Sequence, residues 1–145
     1  MKTGLLVPAI VLLAACQHPA SLSVDHAWVR LTPVDGAPSS AYFVIKGGAK
    51  DETLTDITAP DAARAEMHEN VSHAGIESMN TLKLVAVRAG GEVPFALGGK
   101  HVMLFGLKPS VKAGGTTPLI FSFASGQKIT VNAKVMPPGS SAPKD

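Results

Sequence analysis

Two histidines and two methionines, spread over 36 positions, are the residues best suited to chemistry in this sequence. His68 precedes Met79 by eleven residues, Met79 precedes His101 by 22, and Met103 follows His101 by two. Thioether sulfur is a soft ligand and neutral imidazole is intermediate, a combination that suits Cu(I) and is poor for Mg²⁺, Ca²⁺ or Mn²⁺. Zinc normally takes thiolates, more imidazoles or a carboxylate. If the fold brings these four side chains together, they are expected to form a Cu(I) site.

Each of these residues also has a purely structural explanation. A single methionine in a β-sandwich usually fills the core, and a single histidine in a strand is usually satisfied by a backbone carbonyl. Met67 should face away from His68 if both lie in one strand, so we expect it in the core. His73, in the polar segment NVSHAG, lies close enough in sequence to assist the site. The remaining candidates are expected to be structural or to solvate the surface, although one glutamate could orient a histidine: His26, Trp28, Glu66, Glu69 and Glu77.

Short segments in which apolar and polar residues alternate must position these side chains. Gly, Pro, Asp or Asn separates one segment from the next. Examples are SVDHAWVRLTP, SAYFVIKGG, KHVMLFGL and TPLIFSFASGQKITVNAKV. Alternation of this kind predicts β-strands, in which residues two apart share a face, so His101 and Met103 should point the same way. The glycine pair at 90–91 and the Ser-Gly pair at 125–126 predict hairpin turns. The segment APDAARAEM is either a short helical turn or the start of a strand.

Seven to nine such strands, at fairly regular spacing, predict an all-β fold of one domain. The expected architecture is an antiparallel sandwich or barrel with Greek-key connections. The domain is expected to span residues 22–136. Residues 137–145, rich in Pro, Ser and Gly, are expected to form a flexible tail.

The N-terminal segment has the features of a bacterial secretory leader. Lys2 precedes an apolar run that is too short to span a bilayer, so residues 1–15 are expected to be a signal peptide. The residues Leu-Ala-Ala-Cys at 13–16 resemble the lipobox of lipoproteins, which predicts lipidation at Cys16, followed by a linker over residues 16–21. Ordinary signal cleavage is the alternative. Gln17, which would follow the lipidated cysteine, resembles residues that permit sorting to the outer membrane.

Cys16 is the only cysteine of the 145-residue chain. No internal disulfide is therefore possible, and no other thiol is available for catalysis or metal binding. Thioethers cannot form disulfides, so methionine is a suitable soft ligand outside the cytosol. A net charge of +2 with interspersed signs excludes a basic nucleic-acid stripe, and no catalytic constellation indicates an enzyme.

The four-residue spacing resembles the signature of the periplasmic copper chaperones of the PCu(A)C family. That signature is a histidine, ten residues, a methionine, 21 residues and then His-x-Met, and this sequence reproduces every interval. The surrounding segments HAWVR, AYFVI and HVMLFGLK are also similar, and the resemblance covers nearly all of residues 24–135. It implies a cupredoxin-like fold and the ligand set His68, Met79, His101 and Met103.

The resemblance also implies a function. The protein would be a monomeric chaperone on the periplasmic side of a membrane, held by its lipid anchor, that carries one Cu(I). The recipient would be a subunit of cytochrome c oxidase or a Sco-type assembly factor. Two alternatives remain at this point: a copper buffer or resistance protein without a dedicated client, and a lipid-anchored structural sandwich whose four residues belong to the core.

Overall fold

The computed structural model describes residues 20–144, which form a β-protein. The predicted signal peptide and Cys16 lie outside the described residues, as does Asp145. Alternating apolar positions bury one face of most strands, as the sequence pattern predicts. The strands are β1 (Ser23–Arg30), β2 (Ser39–Lys46), β3 (Glu52–Thr58), β4 (Arg64–His73), β5 (Ile76–Leu82), β6 (Val85–Val87), β7 (Glu92–Phe95), β8 (Lys100–Phe105), β9 (Thr116–Phe123) and β10 (Lys128–Met136).

The strands form one ten-stranded sheet that curls around a core without closing. Their order is β5-β4-β8-β2-β1-β10-β9-β3-β6, and β7 also pairs with β2. All pairs are antiparallel except β1 with β10, which run parallel. The predicted all-β sandwich is thus confirmed, with one parallel pair that the alternation pattern does not reveal. The segment APDAARAEM forms a turn at Pro60 and Asp61 and then begins β4 at Arg64.

Three phenylalanine rings join the two halves of the curled sheet. The ring of Phe43 on β2 stacks on that of Phe95 on β7, with centroids 4.4 Å apart, and meets the edge of Phe121 on β9 at 4.7 Å. Offset and edge-on arrangements of this kind are favourable for aromatic rings. The surrounding core is aliphatic and includes Val102 and Leu104 of β8. One face of β8 is thereby fixed against the core, and the opposite face presents His101 and Met103.

The glycine pair at 90–91 does not form a hairpin, so that prediction was wrong. It connects β6, which pairs with β3, to β7, which pairs with β2. These glycines instead let two backbone segments come together: the Gly47 N–H donates to the carbonyl of Gly91 at 2.7 Å, and that of Gly90 to Gly48 at 3.0 Å. The Ser-Gly pair at 125–126 does lie between paired strands, β9 and β10, as predicted.

Replacing Gly47 by alanine is expected to destabilise the fold. An added Cβ would lie 2.0 Å from the backbone oxygen of Arg88, so one of the two segments would have to move. We expect a loss at the upper end of the roughly 1–3 kcal/mol that overpacking costs, measured by urea unfolding. The matched control is Gly99→Ala, whose Cβ would meet only Ala96 O, at 3.7 Å. Equal losses in the two variants would contradict this explanation of the Gly47 contact.

Residues 137–144 contain no strand, but the segment returns toward the domain. A turn is closed by the Ser140 N–H, which donates to Pro137 O, and Ala142 and Pro143 then border a cavity of about 570 Å³ next to Trp28. The flexibility of this tail stays a prediction. Within residues 20–144 the structure has no helix long and apolar enough to cross a membrane.

Candidate metal centre

His68 and His101 lie directly opposite each other on the paired strands β4 and β8. Their rings are stacked, with centroids 5.9 Å apart and planes 19° from parallel. Their strand neighbours Met67 and Val102 belong to the core, so alternation places both imidazoles on the outer face of the sheet. Both are nevertheless buried, with 6% and 8% of their surface exposed. Two imidazoles are therefore held side by side and largely shielded from water.

Each imidazole has one nitrogen engaged by the protein. In His101, Nδ1 lies 3.0 Å from the carbonyl oxygen of Gly99. In His68, Nε2 lies 3.2 Å from a carboxylate oxygen of Glu66, while Nδ1 is buried and has no hydrogen-bond partner among the described residues. A buried polar atom without a partner costs on the order of 1–3 kcal/mol, so its presence requires an explanation. A bound metal ion would satisfy it.

Met103 is next to the histidine pair on the same face. It lies two residues from His101 on β8, opposite Glu66 on β4 and opposite Ser40 on β2. Its side chain is partly buried. Residues two apart along a strand share a face, so the thioether of Met103 and the imidazole of His101 point the same way, as the sequence predicts.

Met79 lies on the other side of the pair, on the edge strand β5. It pairs with Asn70, two residues beyond His68, and is therefore a diagonal neighbour of His68, at a distance of about 7–8 Å in typical sheets. Its side chain is 49% exposed. Met79 and Met103 thus flank the histidine pair from opposite corners, and ordinary strand spacings put their Cα atoms about 16 Å apart. Of the four side chains, Met79 is the least constrained by its surroundings.

Glu66 belongs to a row of interacting side chains along β4. The Arg64 Nε donates to one of its carboxylate oxygens at 2.6 Å, and the other oxygen faces His68. The Arg64 guanidinium in turn lies 4.1 Å from the centre of the Phe105 ring on β8. Hydrogen bonding by Arg64 chiefly, opposed by burial and supported by His68, holds the pKa of Glu66 below its ordinary 4.5. The carboxylate facing His68 is therefore ionised at neutral pH.

The other candidate residues lie elsewhere. Met67 is buried in the core, as predicted. His73 ends β4 rather than lying in a loop, and its odd spacing from His68 places it on the opposite face of the hairpin. His26 sits in an irregularity of β1 between Asp25 and Trp28, with a φ of 53°, so the predicted alternation is broken there. His26 and Trp28 border the cavity near the tail instead.

The chemistry of this cluster fits a soft cation. Within residues 20–144, no three side chains of the types His, Cys, Asp and Glu group in a way that could hold a metal ion. The thioethers of Met79 and Met103 flank the histidine pair on the same face, and thioether sulfur favours Cu(I). The sequence did not single out the contacts that Arg64 makes with Glu66 and Glu66 with His68. The alternation of Arg64, Glu66 and His68 along one strand face is the signal that could have identified them.

Most of the chain is similar to a family of lipoproteins. The family described as "Putative lipoprotein LpqE-like" matches residues 22–135. A relative in Leifsonia xyli subsp. xyli, named "Putative lipoprotein Lxx21020", is 30% identical over 139 residues, covering 91% of this chain and 82% of that protein.

Solved structures of PCuAC domains have the same fold. The copper-bound PCuAC domain from PmoF2 superposes with a TM-score of 0.66 at 17% identity, covering 84% of this chain and all of that domain. The solution structure of CuI-DR1885 from Deinococcus radiodurans gives a TM-score of 0.63 at 25% identity, covering 89% of this chain and 86% of that one. The predicted resemblance to the PCu(A)C family is confirmed, and the chain belongs to the LpqE-like lipoprotein family with the fold of PCuAC domains.

Proposed function

We propose that this protein is a copper chaperone that binds one Cu(I) through His68, Met79, His101 and Met103. The observation that carries the proposal is the stacked and buried histidine pair, flanked by the two methionines on one face of the sheet. The proposal is supported by the fold, which is shared with a copper-bound PCuAC domain and with CuI-DR1885. A single chain supplies all four donors, so the proposed active form is a monomer.

The proposed site is suited to transfer because its ligands differ in exposure. The histidines are buried on two central strands, whereas Met79 lies half-exposed on the edge strand β5. An incoming ligand can replace the Met79 thioether first while the histidines still hold the ion. Copper would then move stepwise to a recipient with stronger soft ligands, such as thiolates.

The proposed setting is the periplasmic side of a bacterial membrane. Family membership and the relative's name both indicate a lipoprotein, which supports signal cleavage before Cys16 and lipid anchoring at that residue. Two or more acyl chains would make such anchoring stable. We propose residues 22–136 as the copper-binding domain and the outer membrane as the anchoring site. The proposed recipient is a cytochrome c oxidase subunit or a Sco-type assembly factor.

Cu(I) titration under reducing conditions tests this function. Competition with a chromophoric Cu(I) chelator should show one tightly bound equivalent per chain, and Zn²⁺ should not displace it. The complex should be colourless, because no thiolate is available in the domain to give an intense charge-transfer band. A thiolate-to-copper band, or no bound Cu(I), would refute the proposal.

A transfer experiment separates a chaperone from a buffer. Copper-loaded protein is mixed with the apo copper domain of an oxidase subunit or with a reduced Sco-type protein, and the copper content of each is measured after separation. A chaperone should transfer the ion faster than it is released to the chelator alone. Transfer to the recipient that is no faster than release to the chelator alone would indicate a buffer.

A further inference from the structure

We infer that Glu66 is a positioning residue that holds His68 with its proton on Nε2, so that His68 presents Nδ1 to the metal while His101 presents Nε2. The two histidines would then ligate through different ring nitrogens. The inference about the metal rests on the proposed function, whereas the inference about the protons concerns the apo protein alone. Its basis is the set of contacts that each ring makes on β4 and β8.

The contact with Glu66 assigns the proton of His68. Glu66 forms an ion pair with Arg64, and a carboxylate in an ion pair accepts hydrogen bonds, so the His68 Nε2 that lies 3.2 Å away donates. A neutral imidazole carries one N–H, and Nδ1 therefore keeps its lone pair. That atom is buried and has no partner among the described residues. It is in the state that a metal ion requires of a ligand.

The contact with Gly99 assigns the opposite arrangement to His101. A backbone carbonyl only accepts, so Nδ1 at 3.0 Å must carry the proton and Nε2 is left as the available lone pair. Each ring thus carries its proton on the nitrogen that is hydrogen-bonded to the protein and its lone pair on the other nitrogen. Partners of this kind fix the tautomer and orientation of metal-binding histidines.

The Glu66 carboxylate is itself held in place from the other side. Arg64 donates to it at 2.6 Å and rests on the Phe105 ring. Glu66 also lies directly opposite Met103 in the register of β4 and β8. The carboxylate therefore sits between the arginine and the imidazole, where it can orient His68 without being a ligand.

The test combines ¹⁵N NMR of the histidine rings with Cu(I) affinity in three variants of the full chain. In the apo protein, the ring shifts should show an unprotonated Nδ1 in His68 and an unprotonated Nε2 in His101. On Cu(I) addition, those same two nitrogens should shift. Glu66→Ala should weaken Cu(I) binding by roughly 10–100-fold, the range seen when such supporting partners are removed.

Two further variants separate orientation from charge. Glu66→Gln keeps an oxygen that can accept from Nε2–H and should restore most of the affinity. Glu69→Ala removes the same charge one residue beyond His68, where the carboxylate is paired with Lys100 rather than with an imidazole, and should bind Cu(I) like the wild type.

The outcomes distinguish this inference from the proposed function. A shift of His68 Nε2 instead of Nδ1 on Cu(I) addition would overturn it, as would wild-type affinity in Glu66→Ala. Equal losses in Glu66→Ala and Glu66→Gln would show that charge, not orientation, matters, and would also overturn it. If the wild type binds no Cu(I), the proposed function fails, and so does the assignment of the metal-binding nitrogens. The tautomer of His68 in the apo protein still decides whether Glu66 positions that ring.

Discussion

Replacement of His101 by alanine is expected to weaken Cu(I) binding by at least about 100-fold, because loss of a buried imidazole ligand at the centre of the site should exceed the roughly 10–100-fold cost of losing a supporting partner. His68→Ala should have a similar effect, since the two rings stack at the centre of the site. Competition titrations with a chromophoric Cu(I) chelator measure both. A His101 variant that retains wild-type affinity would contradict the proposed ligand set.

The methionines should differ from each other. Met103 is partly buried next to His101, whereas Met79 is half-exposed on an edge strand. We expect Met79→Ala to lower the Cu(I) affinity by about 10-fold, because an exposed thioether should contribute no more than a supporting partner does. Met103→Ala should lower the affinity by more. His73→Ala is the matched histidine control, because His73 lies on β4 but on the opposite face. Met136→Leu, at the end of β10, is the methionine control.

The same variants test the alternative of a structural sandwich. If the four residues served only packing, their replacement would lower the free energy of unfolding of the apo protein and leave copper binding unaffected. The His68 Nδ1, which has no hydrogen-bond partner within residues 20–144, argues otherwise, because it offsets part of what burial of that ring contributes to stability. Chemical unfolding of the apo variants should therefore show smaller losses than core substitutions produce.

Phe121→Ala is expected to give the largest loss of stability. The ring is fully buried on β9 and meets the face of Phe43, which stacks on Phe95. Truncation of a buried phenylalanine costs about 3–5 kcal/mol through lost burial and the cavity left behind. This is a large fraction of the roughly 5–15 kcal/mol that stabilises a typical domain. Urea unfolding monitored by the fluorescence of Trp28 measures the change.

Phe105→Ala is the matched control for the core prediction. Phe105 is only partly buried, lies on the outer face of β8 and packs under the Arg64 guanidinium. Its loss should cost clearly less, because a cation–π contact at such a site contributes roughly 0.5–1 kcal/mol. Equal destabilisation by the two substitutions would contradict the assignment of the core to the Phe43, Phe95 and Phe121 cluster.

Local patterns in the sequence were sufficient to predict the fold class and the relative facing of neighbouring residues. Alternation within KHVMLF places His101 and Met103 on one face and Val102 in the core, as the structure has them. The same argument predicts the burial of Met67. These predictions succeed because side-chain direction alternates strictly along a regular strand, as β4 and β8 are here. The alternation fails at His26, where β1 is irregular.

Features that depend on long-range pairing were not predictable in this way. The glycines at 90–91 have a typical turn composition, but their backbone is hydrogen-bonded to that of Gly47 and Gly48, which lie more than 40 residues earlier in the sequence. The parallel pairing of β1 with β10 likewise joins the two ends of the domain. Nothing within either segment specifies its partner, so the local pattern could not indicate it.

The sequence could propose the four donors of the candidate site, but it could not predict the register that places them. Spacing selected the four donors, yet only the pairing of β4 with β8 places His68 opposite His101 and Glu66 opposite Met103. A one-residue shift would have turned one imidazole into the core. The contact of Glu66 with His68 depends on side-chain orientation as well, which explains why the three glutamates could not be distinguished beforehand.

X-ray absorption spectroscopy of the Cu(I)-loaded protein is the most direct test of the central claim. We expect a Cu(I) edge and a first coordination shell of two sulfur and two imidazole nitrogen scatterers, reduced to one sulfur in Met103→Ala. A shell of nitrogen and oxygen alone, unchanged by replacement of either Met79 or Met103, would contradict it.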